Sequence, residues 1–525
     1  MLEGATVKNP TIHLTLTVLL LGAMSAGCGG TDDIIPFTLV TPDGQDTFGG
    51  VSEVRLTFGD KTETKALSGP GDSFELEISL KLGGAAPVIL EGFSEGGEVI
   101  CRGQSPLINA YPTAETLTLF VSRVGTFGRA PVDAPVGATA MAMANYEVED
   151  WDDTDQDDLN ATLWFGGLTT DATVSGEPFY YDTYFHDTYP LTELPDPRAD
   201  MVALNIDAGY FLLYGGFDES GALSGRLDIM RPGSAGFDYI SDVDYGLPKV
   251  ARAGGQAVIL GPYPSLLDGY DLRLLNSFLV VGGRGPAGAA CDYLHLTAAY
   301  NTSTYDWTVT AENRSLIACR LGHTATRTES STSTAAEPDL IVLVYGGGGA
   351  GEAVAETIGF APEQIDVDTI DWGWAEGAVT PDPGPMISGH AAVTLADRRI
   401  LVIGGVTTDG TVLADGVIYD PDDDTFTPLV GLLDTPRYGH TALRLGDELV
   451  IAGGTGTDGL PVEDAEIFNV AGGDPSWVAS TDLVVPRTGH QAFPMSTGTM
   501  GLMGGVDATG QPTRVIEIYT PGLVD

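Results

Sequence analysis

The sequence is short of positive charge. Lys and Arg together number 24 against 73 Asp and Glu, so the formal net charge at pH 7 is −49. Nucleic acids and anionic lipid surfaces are bound through clusters of Lys and Arg. The charge balance therefore excludes nucleic acid as a partner, and it excludes docking on a membrane through a basic patch.

Residue types that build reactive and metal sites are also scarce. The 525 residues contain 7 His and 4 Cys without a Cys-x-x-Cys pair, which argues against a zinc or copper centre and against a disulfide framework. The P-loop and His-Glu-x-x-His motifs are missing from the sequence, and these absences favour a protein that is not an enzyme. Gly, by contrast, accounts for 70 residues, which is typical of many tight turns between short strands.

One apolar run stands out, at residues 12–21, and it is too short to cross a bilayer as a permanent helix. The segment Ala26-Gly27-Cys28-Gly29 resembles the bacterial lipobox, although Ser25 stands where the lipobox usually has Leu. The resemblance implies a signal peptide at residues 1–27, a lipid (palmitate) on Cys28 and a tether at residues 28–35. Gly29 is not the Asp that retains lipoproteins at the inner membrane, so the expected location is the outer membrane or cell surface. Plain secretion with an unmodified Cys28 is the alternative.

Residues 36–121 alternate apolar and polar side chains in short runs that are separated by turn residues. In the run 73–80, for example, Phe74, Leu76 and Ile78 fall on one face. About seven short strands in such a length predict an immunoglobulin-like β-sandwich, which would act as a spacer. Cys101 lies within one of these strands and is expected to be a buried thiol.

The rest of the chain repeats an apolar strand that ends in Gly-Gly. The pair occurs seven times, with its first glycine at residues 166, 215, 282, 346, 404, 453 and 504, and the spacings lie between 49 and 67 residues. An interval near 50 residues is typical of kelch propeller blades. The glycines have a structural reason, because only Gly tolerates a positive φ where two backbones approach closely.

Residues that flank the Gly-Gly strands repeat as well. The strands are preceded by Arg320-Leu-Gly-His323, Ser388-Gly-His390, Pro436-Arg-Tyr-Gly-His440 and Pro486-Arg-Thr-Gly-His490, and an aromatic residue marks a fourth strand at Phe237, Trp307, Phe426 and Trp477. This pattern resembles the kelch repeat over residues 125–525, most strongly in the last three units. The resemblance implies that residues 122–525 form a seven-bladed β-propeller, so the whole chain is expected to be all-β.

The seventh unit ends after its third strand, at residues 515–520. A spare strand at residues 122–127, with Phe127 in the aromatic position, precedes the first unit. We therefore expect residues 122–127 to close the ring as the outermost strand of the last blade.

Two groups of residues are candidate sites. Asp153, Asp155 and Asp157 alternate like the start of a calcium loop, but Asp158 replaces the turn glycine and Trp164 stands where a bidentate Glu is needed. A solvated acidic loop is therefore the favoured interpretation, and no other cofactor is expected. Cys291 and Cys319 are candidate disulfide partners in an oxidising envelope, with Cys319 at the start of the next blade.

Extra residues between the first and second strands enlarge three units, at residues 146–160, 260–275 and 327–339. They should gather on one face of the disc, where binding loops usually occur, while Asp409, Asp458 and Asp507 should form Asx turns on the opposite face. The favoured function is binding or scaffolding of an unidentified protein or glycan at the bacterial cell surface. An exported enzyme with the propeller architecture of galactose oxidase, and a purely structural envelope component, are the alternatives.

Overall fold

The computed structural model describes residues 15–20, 33–67, 79–80, 86–108, 116–146, 161–207, 209–233, 236–262, 275–301, 306–331, 340–349, 354–366, 369–376 and 384–522. These residues form strands, turns and coil without a helix, so the described part of the chain is all-β, as predicted. In this part of the chain there is accordingly no helix of the length and apolar character that a membrane span requires.

Nine strands come first along the chain. They are β1 (Thr15–Leu20), β2 (Asp33–Val40), β3 (Glu53–Phe58), β4 (Lys61–Ala66), β5 (Ser79–Leu80), β6 (Val88–Phe93), β7 (Val99–Gln104), β8 (Leu117–Phe120) and β9 (Ser122–Arg123). One sheet has the antiparallel order β4-β3-β6-β7-β9, and the other has the order β5-β1-β2-β8 with parallel outer pairs. Leu39, Leu56 and Leu119 belong to one core that both sheets share.

The strand β1 lies within the predicted signal peptide, and its backbone pairs antiparallel with β2. It also separates β2 from β5 in the sheet. Cleavage of residues 1–27 would therefore remove the strand that joins β5 to this sheet.

The remaining strands begin with β10 (Thr126–Arg129) and β11 (Ala138–Thr139). Sheet 1 contains β12 (Ala142–Tyr146), β13 (Ala161–Phe165), β15 (Phe179–Asp182) and β16 (Asp187–Pro190), and β14 (Leu168–Thr169) pairs with β11. Sheet 2 contains β17 (Ala199–Asp207), β18 (Tyr210–Phe217), β19 (Leu227–Gly233) and β20 (Gly236–Ile240). Sheet 3 contains β21 (Gln256–Pro262), β22 (Leu275–Val281), the short β23 (Arg284–Gly285), β24 (Gly288–Asn301) and β25 (Asp306–Arg320).

Four more sheets follow. Sheet 4 contains β26 (Thr324–Glu329), β27 (Leu340–Tyr345), β28 (Ala355–Asp366) and β29 (Thr369–Glu376). Sheet 5 contains β31 (Ala391–Thr394), β32 (Ile400–Ile403), β34 (Gly416–Asp420) and β35 (Thr425–Leu429), beside the short pair β30 (Ile387–Ser388) and β33 (Val406–Thr407). Sheet 6 contains β36 (Thr441–Leu445), β37 (Glu448–Ala452), β38 (Asp464–Asn469) and β39 (Ser476–Asp482). Sheet 7 contains β40 (Arg487–Pro494), β41 (Met500–Asp507), β42 (Glu517–Thr520) and β10.

Each Gly-Gly pair lies where one sheet meets the next. All fourteen glycines have a positive φ, between 57° and 98°. A Cβ on Gly453 would lie 2.5 Å from the carbonyl oxygen of Arg487 in the following sheet, and one on Gly454 would lie 2.9 Å from the carbonyl oxygen of Tyr438. The expected close approach of backbones is therefore confirmed at these glycines.

Apolar cores occupy every junction between consecutive sheets. Side chains of sheets 1 and 2 share one core, and the same holds for sheets 2 and 3, 3 and 4, 4 and 5, 5 and 6, and 6 and 7. One more core joins sheet 7 back to sheet 1, through Trp164, Phe493 and Ile518. The contacts thus run around a closed circuit, an arrangement consistent with a β-propeller.

The circuit is completed by β10, which pairs antiparallel with β42 so that Phe127 lies opposite Tyr519. Their ring centroids are 5.1 Å apart, close to the 5.0 Å between Tyr419 and Phe426 at the same place in sheet 5. The predicted segment 122–127 divides, however, because a turn at Gly125, with φ 70°, separates β9 from β10. Its first residues pair with β7 in the N-terminal sheet, and the closing strand therefore begins later than expected.

Candidate functional site

Two of the predicted sites fall outside the described residues. They are the lipidation residue Cys28 and the acidic run Asp153, Asp155 and Asp157. Among the residues that the structure does describe, no group of three or more His, Cys, Asp or Glu is placed to hold a metal ion. Cys101, by contrast, is described and buried, and burial raises the pKa of its thiol to about 12.

Cys291 and Cys319 form a disulfide. Both residues belong to sheet 3, because β24 contains Cys291 and the neighbouring strand β25 continues to Arg320. The expectation that Cys319 starts the next sheet is wrong. The fourth strand of this sheet is 15 residues long and extends into the Arg-x-Gly-His motif, so the crosslink joins adjacent strands within one sheet.

The four histidines of the repeat are buried at successive sheet junctions: His323, His390, His440 and His490. Burial lowers their pKa to about 4, 3, 3 and 3, respectively. The Nε2 atom of His390 shares a hydrogen bond with the hydroxyl of Thr324 at 2.9 Å, and that of His490 with the hydroxyl of Thr441 at 3.0 Å. Each of these Thr residues directly follows the repeat histidine of the preceding sheet. These side chains are neutral spacers between sheets at ordinary pH.

The other two described histidines are also buried. The Nδ1 atom of His186 lies 2.7 Å from the Tyr181 hydroxyl, and Nε2 of His295 lies 2.6 Å from the Ser277 hydroxyl. Burial lowers the pKa of His186 to about 3 and that of His295 to about 4. Ser277 is 0% exposed, so a substrate could not reach the Ser277–His295 pair in this conformation.

Buried arginines form a second repeated feature, which the sequence analysis missed. Five of them occupy the same repeat position: Arg198, Arg252, Arg320, Arg437 and Arg487. Each donates from Nη1 to the carbonyl of the first glycine of the Gly-Gly pair that follows it in the sequence. Each also donates from Nη2 to a carboxylate on the third strand, and these partners are Asp228, Asp292, Glu356, Glu466 and Glu517.

Sheets 1 and 5 lack this ion pair, and in each of them an apolar residue replaces both the arginine and the carboxylate. In sheet 5, Ile387 occupies the arginine position, and Val417 occupies the position of the carboxylate. In sheet 1 the same two positions hold Ala138 and Phe179. The Arg-x-Gly-His motif therefore predicts an acidic residue on the third strand, a signal that could have been found in the sequence.

A belt of hydrogen-bonded backbone groups links the first strands of the sheets at one end of the ring. Its members are Ala140, Asp200, Gly254, Gly322, Gly389, Gly439 and Gly489, which have φ between 53° and 72°. Five N–H groups donate to the carbonyl of the preceding member, at 2.6–3.0 Å. Asp200 is the ionisable member. Burial raises the pKa of its carboxyl group, and the nearby positive charge of Arg284 offsets only part of this rise. We call this end the belt face.

Short turns on the belt face carry the expected Asx geometry. The Oδ1 atoms of Asp409, Asp458 and Asp507 accept the N–H of the residue two positions later, at 3.3, 3.0 and 2.8 Å. The Asx-turn prediction is therefore confirmed. Hydrogen bonds from Thr509 lower the pKa of Asp507 in the same turn.

The opposite end, which we call the insertion face, carries the three long insertions. Strand pairing brings their flanking residues together as Tyr146 with Ala161, Pro262 with Asn276, and Glu329 with Leu340. All three insertions therefore leave between a first and a second strand, as expected. Most of their residues, 147–160, 263–274 and 332–339, lie outside the described part of the chain.

The N-terminal sheets contact this same face. Tyr184, in the turn between β15 and β16, packs in their core and donates its hydroxyl to the carbonyl of Leu107 at 2.9 Å. The N–H of Thr118 in turn donates to the carbonyl of Tyr184 at 2.9 Å. The N-terminal sheets therefore contact the end of the ring at which the strands flanking the three insertions end and begin.

No protein-family model matches the chain. It is 24% identical over 148 residues to an F-box/kelch-repeat protein of Arabidopsis thaliana, covering 27% of this chain and 38% of that protein. It is 28% identical over 158 residues to the dynein alpha chain of the flagellar outer arm of Chlamydomonas reinhardtii (29% and 4%), and 25% identical over 166 residues to a Rho GTPase-activating protein of Dictyostelium discoideum (29% and 10%). The matches thus span well under half the length of these relatives. The similarity to the F-box/kelch-repeat protein is weak. It is compatible with kelch repeats in this chain, and so is the all-β fold.

Proposed function

We propose that the chain is a binding scaffold built on a seven-bladed kelch-type β-propeller at residues 122–525, with sheets 1 to 7 as its blades. Residues 36–121 form an immunoglobulin-like sandwich between the ring and its anchor. A lipid on Cys28 holds the protein at the outer membrane or surface of a bacterial cell, where the propeller binds a protein or a glycan. The similarity to a kelch-repeat protein supports the protein-binding part of this proposal.

One observation carries the proposal most directly. The residues that flank the three insertions lie at the end of the ring that the N-terminal sheets contact, whereas the turns at the other end are short and bonded within themselves. Loops that are elaborated on a rigid scaffold are the usual location of binding residues. We therefore assign the binding site to the insertion face, and we assign any Ca²⁺ to the acidic run of the first insertion.

The proposal is tested by removing that first insertion. Because Tyr146 and Ala161 are paired partners, an Asp-Gly turn can replace residues 147–160 without moving either strand. The variant should keep the melting temperature of the wild type and should lose the partners that the wild type captures from envelope extract. Capture by the wild type should also weaken when Ca²⁺ is chelated.

A matched control alters the belt face instead. Leu321 is 46% exposed beside the belt, and Leu321→Ser should capture the same partners as the wild type. The assignment would be contradicted if the variant without residues 147–160 still captured the partners and the Leu321→Ser variant did not. So would the absence of any saturable capture by the wild type.

A further inference from the structure

A cleft lies where the N-terminal sheets meet sheets 6 and 7. Its volume is about 480 Å³, within the range of small-molecule sites, which favour junctions between domains. Arg102 on β7 lines one part of it, and Arg444 on β36 lines another, beside the turn at residues 497–499. The cleft is on the insertion face, because that turn and Gly446 join first strands to second strands.

The charge of this cleft is opposite to that of the chain. Of the described residues that line it, two are arginines and none is acidic, although the sequence has 73 Asp and Glu against 24 Lys and Arg. The nearby Glu448 is not among the lining residues, and its carboxylate accepts from the Tyr519 hydroxyl and from the N–H of Gly522.

Both arginines keep donors for a ligand. Arg102 donates from Nη2 to the side-chain oxygen of Gln104 at 3.1 Å, and Arg444 donates from Nε to the carbonyl of Gly446 at 2.8 Å. Within the described part of the chain, neither guanidinium has a carboxylate within ion-pair distance, whereas the buried arginines of the ring do. A guanidinium has five N–H donors in a planar fork, which suits a carboxylate or another oxyanion.

The rest of the lining suits a ligand rich in hydroxyl groups. Thr497 and Thr499 are buried, and their hydroxyls bond to each other at 2.7 Å, which fixes the turn that lines the cleft. The oxygen of Gln104 faces Arg102, so its amide N–H₂ group remains as a donor beside Gly498. An amide N–H₂ group of this kind donates to sugar hydroxyls.

We propose that the Arg102–Arg444 cleft binds an anionic saccharide through its carboxylate. The two guanidinium groups hold the carboxylate, and the Gln104 amide donates to a ring hydroxyl. This deepens the proposed binding function, since it names a ligand class and a place on the insertion face.

The test is calorimetric titration of the purified chain with trigalacturonate, with neutral maltotriose and sodium sulfate as comparison ligands. Trigalacturonate should bind saturably, more weakly as NaCl is raised, and much more tightly than either comparison ligand. Arg102→Gln and Arg444→Gln should each weaken binding at least about tenfold, since each removes a charge-assisted hydrogen bond. Because the two arginines lie on different domains, each variant tests the cleft independently.

Arg231→Gln is the matched control. Arg231 lies on β19 in sheet 2, away from the cleft, and its replacement should leave binding unchanged. Absence of saturable trigalacturonate binding, or equal binding by both cleft variants and wild type, would overturn the proposal. Sulfate binding as tight as that of trigalacturonate would overturn the saccharide assignment. The variant without residues 147–160 keeps the cleft, so it should still bind trigalacturonate even if the proposed partner capture fails.

Discussion

Removing one member of a buried ion pair should destabilise the ring far more than replacing both members. Arg487 and Glu517 in sheet 7 are both 0% exposed, and Nη2 donates to Oε1 at 2.6 Å. Breaking such a pair leaves an uncompensated buried charge, at a cost of about 3–5 kcal/mol. Arg487→Ile and Glu517→Val should therefore each lower the free energy of unfolding by about that amount.

Sheet 5 supplies the natural design for the double variant. There Ile387 and Val417 occupy the two positions, so Arg487→Ile with Glu517→Val reproduces an apolar pair that this fold already contains. The N–H groups of Val484 and Val485 still lose their bonds to Glu517, which costs about 1–3 kcal/mol for each group that stays buried. The double variant should nevertheless lose less free energy of unfolding than the two single variants lose together, by about 3 kcal/mol or more.

The assay is urea unfolding of the four proteins, with amide hydrogen exchange in sheet 7 as a local measure because a chain of this size need not unfold in two states. Arg231→Gln, at an arginine without an ion pair in the described part of the chain, should change stability by less than about 0.5 kcal/mol. Single-variant losses below about 1 kcal/mol, or losses that simply add, would refute the reasoning.

Three further changes have defined outcomes. Burial lowers the pKa of His490 to about 3, below its unfolded value of about 6.5, so its stabilisation is complete above about pH 6.5 and is lost as the pH falls towards 3; His490→Gln should flatten the fall in stability between pH 7 and pH 4, and an unchanged slope would contradict this. The Cys291–Cys319 disulfide spans 28 residues, so Cys291→Ser with Cys319→Ser should lower the unfolding free energy by about 3–4 kcal/mol, measured by urea unfolding in oxidising buffer; a change below about 1 kcal/mol would count against a structural role. Cys28→Ala should move the protein from the membrane fraction to the soluble fraction, and a variant that still sediments fully would remove the lipid-anchor hypothesis.

Much of the ring could be predicted because its requirements are local. A Gly-Gly pair is needed wherever the backbones of two sheets touch, so its seven occurrences mark the seven second strands in the sequence. The closing strand was also accessible, since Phe127 repeats an aromatic position that other fourth strands fill. What failed there was the boundary, which depends on the turn at Gly125 rather than on side-chain type.

Features that depend on distant partners could not be read in the same way. Ala140 and Asp200 adopt the left-handed conformation of the belt without being glycine, because hydrogen bonds between neighbouring sheets hold them there. The cleft combines Arg102 and Arg444, which are 342 positions apart in the sequence. Neither residue belongs to a motif, so only the folded arrangement brings their charges to one surface.

Closure of the ring by β10 is the central structural claim, and amide hydrogen exchange tests it most directly. A chain that begins at Thr118 retains β10, whereas a chain that begins at Ala130 lacks it. Because Phe127 packs in the core between sheets 6 and 7, the account predicts that the shorter chain loses protection in β41 and β42 and in the facing strands of sheet 6. The longer chain should keep the protection of the full protein in these strands. Equal protection of β41 and β42 in the two chains would contradict closure by β10.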